Sequence, residues 1–388
     1  MSLPSGLAGQ FGMIAEDTYG VQKTATRFWP LVSESLDLTQ ARIESAAVRA
    51  GYRFIEHNDW TPGSIAVGGD IGMELTDRGC GLLFSSIFGS VNTSGSGTYT
   101  HTFTPSSSTL ASYCLSLGRP LSTGTVVPVH VTGAKVQSAS IAGKEDEAIT
   151  LGMTWIGKDM LVGTRQVTDG VTTNTSTSVT SSTAAFTQAD VGKLITGTGI
   201  STGTTIASVT SSTAATLSAA ATATGTSITF TIGKVLPSAS YASSANLMTY
   251  GNGVLTVGSL SLGVTEWEIK IENGLVDRRP RAGSLYTAEP LFADNSMATA
   301  TIKAEFDTEA AYTQFRAGTE GALSLAITHP VSTYSATISG NVRFDKATTN
   351  VNGKGLLEVD IEAKFVRTAA GADSTAIQAV LVNGDSAP

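Results

Sequence analysis

Two stretches of the chain, Ser64–Ser90 and Ser296–Gly321, carry the same order of residue types and limit the fold more than any other feature. Each reads as a strand of alternating apolar residues, an acidic turn and a short helix. At one offset Ile71 falls on Ile302, Glu74 on Glu305, Leu75 on Phe306, Cys80 on Ala311 and Phe84 on Phe315. Thr76-Asp77 and Asp307-Thr308 stand where a helix N-cap belongs, because a short side-chain oxygen can accept from the free N–H groups of a first turn. The apolar residues that follow lie four apart and share one helix face.

The second half holds two further amphipathic strands. Trp267, Ile269 and Ile271 point one way, and Glu266, Glu268, Lys270 and Glu272 the other. Leu357–Phe365 divides in the same manner, with Glu358, Asp360 and Glu362 on its polar face. It takes the place that Ile149–Trp155 holds in the first half, and Ala336–Arg343 matches Val129–Val136, Gly340 against Gly133. The two halves follow one order: strand, strand–helix, strands, hairpin. This reads as a tandem duplication.

Between the halves, Thr168–Gly233 is nearly free of charge and rich in Thr, Ser, Ala and Gly. It has its own repeat, Ser178–Ala185 recurring as Ser208–Ala215. Alternation joined by Gly turns predicts a small folded β module rather than a linker. The domain reading is an N-terminal arm over 1–30 anchored by Phe11, Met13 and Phe28-Trp29, a first β domain over 31–165, the inserted module over 168–233, and a second β domain over 234–388. The expected fold class is all-β, a sandwich or barrel with short flanking helices, duplicated and carrying one small all-β insertion.

Charged residues make up only 14% of the chain, against about 25% in ordinary soluble domains. Such a surface suits burial against further copies of itself. Disorder is excluded because 41% of residues are hydrophobic and they alternate regularly. The net charge of −8 and a single basic run, Asp277–Arg281, argue against a grip on nucleic acid by phosphate neutralisation. Cys80 and Cys114 form no metal-ligand spacing and no disulfide framework. Met1–Gln10 lacks the pattern of a signal peptide, and no apolar run approaches the ~18 residues of a membrane helix. The expectation is a protein made in a cytosol with no membrane partner.

Catalytic constellations are absent from the sequence. His57, His101, His130 and His329 are scattered, with no Cys or Glu at a ligand spacing. There is no GxSxG, HExxH or P-loop. Gly197, Gly199 and Gly203 have the wrong spacing for a dinucleotide fingerprint, and the acidic turn Lys144–Glu147 reads as a solvated hairpin tip. Carboxylates in a row on one strand colour a surface, whereas catalytic pairs converge from different elements. No enzyme activity, cofactor or metal is expected.

Phe28–Leu36, Val48–Arg53, Gly63–Leu75 and Leu82–Gly89 together resemble the major tail tube proteins of long, non-contractile-tailed bacteriophages. The resemblance covers most of 11–160 and, more weakly, 245–385. It implies subunits that join their inner sheets into a closed barrel, in rings that stack into a tube for DNA ejection. Members with two tube folds in one chain make threefold, pseudo-sixfold rings; a true hexamer is the alternative. The implied partners are further copies of the chain, the tape-measure protein, the tail terminator, baseplate proteins and transiting DNA bound without sequence preference. The implied location is the virion tail, assembled in the host cytoplasm. The residues expected to line a negative lumen are Glu266, Glu268, Glu272, Glu358, Asp360 and Glu362, and Asn92–Gly97 and Arg278–Tyr286 are expected inter-ring contacts. The competing class is a tail-surface adhesin or decoration protein whose inserted module binds host glycan.

Overall fold

The structure is a computed structural model that describes residues 6–47, 51, 53–121, 126–233, 236–258, 260, 262–278, 281–349, 356–368 and 376–388. Val48–Ala50 and Tyr52 of the resembling segment, and Arg279 and Pro280 of the basic run, lie outside the described residues.

The first half contains β1 (Gln10–Ala15), β2 (Arg27–Trp29), β3 (Ser33–Glu34), β4 (Asp37–Glu44), β5 (Trp60–Glu74), α1 (Gly81–Phe88), β6 (Gly89–Ser96), β7 (Thr98–Pro105), β8 (Tyr113–Pro120), β9 (Val126–Lys144), β10 (Thr150–Gly157) and β11 (Asp159–Val162). A middle group follows: β12 (Thr164–Thr172), β13 (Ser178–Thr180), β14 (Ile195–Thr196), β15 (Ile206–Ser211), β16 (Ala214–Leu217) and β17 (Gly225–Gly233). The second half contains β18 (Gly253–Val257), β19 (Gly263–Glu272), β20 (Leu275–Arg278), β21 (Ala288–Phe292), β22 (Met297–Glu305), α2 (Ala310–Ala317), β23 (Glu320–Thr328), β24 (Ser335–Thr349), β25 (Glu358–Phe365) and β26 (Ile377–Asn383). The chain is all-β in class, with two short α-helices among the described residues.

One antiparallel sheet runs through both halves in the order β4, β5, β10, β9, β19, β22, β25, β24. Its middle is the pairing of β9 with β19, from Lys144 opposite Glu266 to Ser138 opposite Glu272. The two long strands leave this sheet at their N-terminal ends. There β9 takes β8 and β11 as neighbours, and β24 takes β23 and β26. The strand β1 extends one group beside β8; β18 extends the other beside β23.

The pairings β4–β5, β5–β10, β9–β10, β8–β9 and β9–β11 of the first half therefore have counterparts in the second, with β4 matching β19, β5 β22, β8 β23, β9 β24, β10 β25 and β11 β26; β1–β2, β3–β5 and β6–β7 have none among the described residues. One bulge in each long strand also agrees. Gln137 is passed over between Ser138 and Val136, and Asp345 between Lys346 and Phe344. An extra residue of this kind bends a long strand, which lets it serve two sheets.

The core is one apolar cluster shared by both halves, including Met73, Phe84 and Trp155 from the first and Trp267, Ile302 and Phe344 from the second. At the junction Trp267 is 2% exposed and lies over Gly143, whose hypothetical Cβ would stand 2.6 Å from the indole. Two carboxylates seal the loop before α1. Asp385 in the C-terminal tail accepts from Arg78 Nε (3.0 Å), Arg78 Nη2 (2.8 Å) and Gly79 N (2.8 Å). Buried Asp77 accepts from Asn246 N (2.7 Å), Asn246 Nδ2 (2.8 Å) and Ser332 Oγ (2.6 Å).

Several sequence expectations need correction. Asp77 is therefore no helix cap: the caps are Cys80 and Glu309, neither with a side-chain cap bond. The turn places Asp77 against two loops of the second half, at Asn246 and Ser332, instead. Residues 10–15, expected in a separate arm, form β1, with Phe11 and Met13 fully buried against β8. Their alternation belongs to a sheet strand. The alignment of β9 with β24 also shifts: register sets Val136 against Phe344 and Val131 against Gly340, because β8·β9 holds a bulge that β23·β24 lacks.

The middle group forms its own six-stranded sheet, ordered β14, β17, β12, β13, β16, β15, around Val179, Phe186, Ile206 and Phe230. Its sequence repeat does not recur in structure. Ser178–Ala185 is β13 and a loop held by Asp169, whereas Ser208–Ala215 spans the β15–β16 hairpin. The Asp169 carboxylate accepts from Ser181 Oγ, Ser182 Oγ, Thr183 N and Thr183 Oγ1, which hold its pKa well below the usual range.

Replacing Gly143 with Leu forces bulk against Trp267 and should cost about 1–3 kcal/mol; denaturant unfolding of wild type and variant measures it. Glu16, at the end of β1, accepts from Gly20 N (2.8 Å), Gly133 N (2.8 Å) and Ser112 Oγ (2.7 Å). Burial nevertheless raises its pKa above the ordinary 4.5. The folded state then holds this proton more tightly. Its contribution to stability is complete below pH 4.5 and declines as pH rises through the raised value. Glu16→Gln should remove that slope from a stability-against-pH curve; an unaltered curve would assign the slope elsewhere.

Candidate functional site

The face of the eight-stranded sheet turned away from the core is the broadest patterned surface of the body. Period-2 alternation sends every second residue of each strand to it, and antiparallel register lines those residues up across strands. In the second half they are charged. One row runs Lys144, Glu266, Lys303, Asp360 and Thr348; the next runs Ala142, Glu268, Thr301, Glu362 and Lys346. A third runs Ser140, Lys270, Thr299, Lys364 and Arg343. In the first half the same rows are small and mostly neutral, as in Gly72, Gly152 and Ser140 or Asp70, Thr154 and Ser138.

All six acidic residues singled out from the sequence therefore lie on one face, on two strands separated only by β22. They do not form an unbroken negative strip. Lys303 Nζ lies 2.8 Å from Glu266 Oε2, Lys270 Nζ 2.6 Å from Glu272 Oε1, and Lys346 Nζ 2.6 Å from Glu362 Oε1. Glu268, Glu358 and Asp360 form no ion pair with another described residue. The hydrogen bond from Lys303 lowers the pKa of Glu266. Lys303 is raised in turn, first by its bond to Glu266 and further by the fields of Asp360 and Glu358. Glu272 and Glu362 likewise raise Lys270 and Lys346. The sequence reading placed Lys270 on this face but missed Lys303 and Lys346. The alternation Thr299, Thr301, Lys303 on β22 marks their face, but only register shows which acid each lysine meets.

The sheet has two open ends. Among the described residues β4 is paired only with β5, and residues 344–349 of β24 only with β25. An open edge is a row of unpaired N–H and C=O groups ready to accept another strand. The junction β9·β19 joins the two halves by the type of edge left open at both ends.

Of the expected contact segments, Asn92–Ser96 lies on β6, exposed along its whole length, and Leu285 O accepts from Ile65 N of the same chain at 3.0 Å. His101 and His130 are buried strand residues, each near a hydroxyl: Thr93 Oγ1 at 2.8 Å and Ser116 Oγ at 2.9 Å. No three His, Cys, Asp or Glu side chains among the described residues are grouped to hold a metal ion. No helix of the described residues is long and apolar enough to cross a membrane.

Lys303→Met should return the Glu266 titration toward 4.5, followed by NMR. Exposed pairs of this kind contribute at most about 1 kcal/mol, so folding stability should change little. An unmoved Glu266 titration would remove the pair from the account.

A family model described as phage tail tube protein matches residues 6–365. No curated protein matches the chain. The match spans nearly the whole sequence, and the chain belongs to the phage tail tube protein family, a structural component of the bacteriophage tail.

Proposed function

We propose that copies of this chain close into rings, and that the rings stack into the tube through which the phage genome leaves the virion. The observation that carries the reading is the continuous sheet with an internal strand junction and two open edges. The β9·β19 register, transposed onto the counterparts of its strands, pairs β4 of one copy with β24 of the next: Asp37 opposite Thr348, Leu38 opposite Ala347 and Thr39 opposite Lys346. Leu38 and Ala347 then both face the core, as their burial requires. Closure satisfies both open edges of this sheet.

The matched pairing of the two halves supports a duplicated tube fold, hence a ring of three copies with pseudo-sixfold symmetry. Eight strands from each of three copies, at ~4.8 Å spacing, give a barrel about 37 Å across before strand tilt widens it. The charged face lines the lumen in this reading. Its unpaired carboxylates keep DNA from settling on the wall, over a Debye length of ~8 Å, while the lysine pairs limit the field. The separate β12–β17 sheet sits on the outside as an insertion. The tail is of the long, non-contractile kind, assembled in the host cytoplasm around a tape-measure protein and bounded by terminator and baseplate proteins.

Rotationally averaged end-on electron micrographs of assembled protein should give hollow rings with three outer knobs. Solid or open-ended fibres would exclude ring closure. Virions carrying Glu268→Lys, Glu358→Lys and Asp360→Lys together should form normal tubes and eject DNA more slowly; normal ejection would remove the lumen assignment.

A further inference from the structure

The internal junction is more than a pair of strands. The hairpin β20–β21, at the far end of β19 and β22, reaches back across it and rests on the first half. Leu275 is 4% exposed, in a cluster with Leu110, Ile156 and Phe292. Lys135 Nζ, wholly buried, lies 2.8 Å from Glu289 Oε1. At the tip, Ile65 N donates to Leu285 O at 3.0 Å and Thr287 Oγ1 donates to Ile65 O at 3.3 Å.

The first half has a counterpart to this hairpin, and its apolar side chains are not packed against the body. Ile43 opposite Thr61 and Glu44 opposite Trp60 correspond to Leu275 opposite Phe292 and Val276 opposite Leu291. The loops differ by one residue, 45–59 against 277–290, so Phe54 and Ile55 fall near Leu285 and Tyr286. The apolar side chains are exposed here: Ile43 is 59% exposed, Phe54 88%, Ile55 57% and Trp60 44%.

A matching seat lies in the second half. Where the tip of β20–β21 covers Ile65, the position just before β22 holds Ser296. Around it is a cavity of about 270 Å³ lined by Met297, Ala298, Phe365, Arg367 and Ile377, and bounded on its far side by Phe88 and Leu110 of the first half. We infer that the β4–β5 hairpin of one copy docks across the ring junction into this cavity on the next copy, with Phe54 and Ile55 as its anchors. The contact locks the strand junction as β20–β21 locks the internal one. The occupant is a second copy of this chain because the chain already contains this interface once, and holds one unmatched part of it in each half. The inference rests on the ring reading above.

Two cysteine pairs separate the inference from that reading. Cys80 and Cys114 are buried and free, so engineered thiols can be read against them. Ile55→Cys with Ser296→Cys, oxidised in assembled tubes, should give covalent species that end at one ring of copies. Asp37→Cys with Thr348→Cys reports the strand junction. Phe54→Ser with Ile55→Ser should leave the melting of the isolated subunit unchanged and raise the concentration needed for assembly at least tenfold. If the 37–348 pair links and the 55–296 pair does not, with assembly of the serine variant unaltered, the docking is overturned and the ring stands. An open-ended ladder through 55–296 would place the contact between rings and overturn it as drawn. If neither pair links within assemblies, the ring reading fails and takes the docking with it.

Discussion

A β-strand cannot satisfy its own backbone. Each strand presents N–H and C=O groups on both sides, and a sheet ends wherever partners run out. In this chain that requirement organises nearly everything else. The junction of β9 with β19 makes one sheet from two halves, and the bulges at Gln137 and Asp345 bend the long strands so that each serves a second sheet. The shared apolar cluster follows from that continuity. Trp267 packs over Gly143 where the two halves meet, so the halves are coupled in packing as well as in hydrogen bonding.

The polar face obeys a different constraint. In the proposed ring this face meets a polyanion and gains from negative charge, but like charges lined up across strands repel and weaken the sheet. The rows of β19, β22 and β25 resolve this by alternation, lysine beside acid, with Glu268, Glu358 and Asp360 left without partners among the described residues. The pairs are exposed and screened, so they contribute little stability. What they set is the texture of the surface: weakly negative on average and finely mixed in sign.

Much of this was legible in the sequence, for physical reasons. Burial on one side imposes a period of two, which made β19 and β25 readable residue by residue and put all six acids on the correct strands and one face. The shared order of residue types in Ser64–Ser90 and Ser296–Gly321 exposed the matching strand–helix pair. The failures come from what depends on partners distant in the chain. Asp77 looked like a cap because its neighbours are turn-like, but its donors, Asn246 and Ser332, arrive from elsewhere. Phe11 and Met13 looked like the anchors of an arm because a short strand beside Gly-rich turns has no signature apart from β8. The lysine pairings needed a register, and bulges move a register without marking the sequence. The idle β4–β5 hairpin could be recognised only beside its seated counterpart.

The middle sheet enters through β12 and leaves through β17, and these two strands are partners from the start, Thr164 opposite Gly233. The module therefore departs and returns at one place, and beyond its stem it touches the body at buried Gln22, whose Oε1 accepts from Leu194 N at 3.4 Å. Loop-closure entropy grows only slowly with the length enclosed, and here the closing hydrogen bonds are made within the module's own stem. The entropy of closing the body's chain therefore depends little on the length carried beyond that stem. Such a position lets the decorated part diversify, shrink or be exchanged on its own evolutionary schedule, while the strands that must match their neighbours stay fixed.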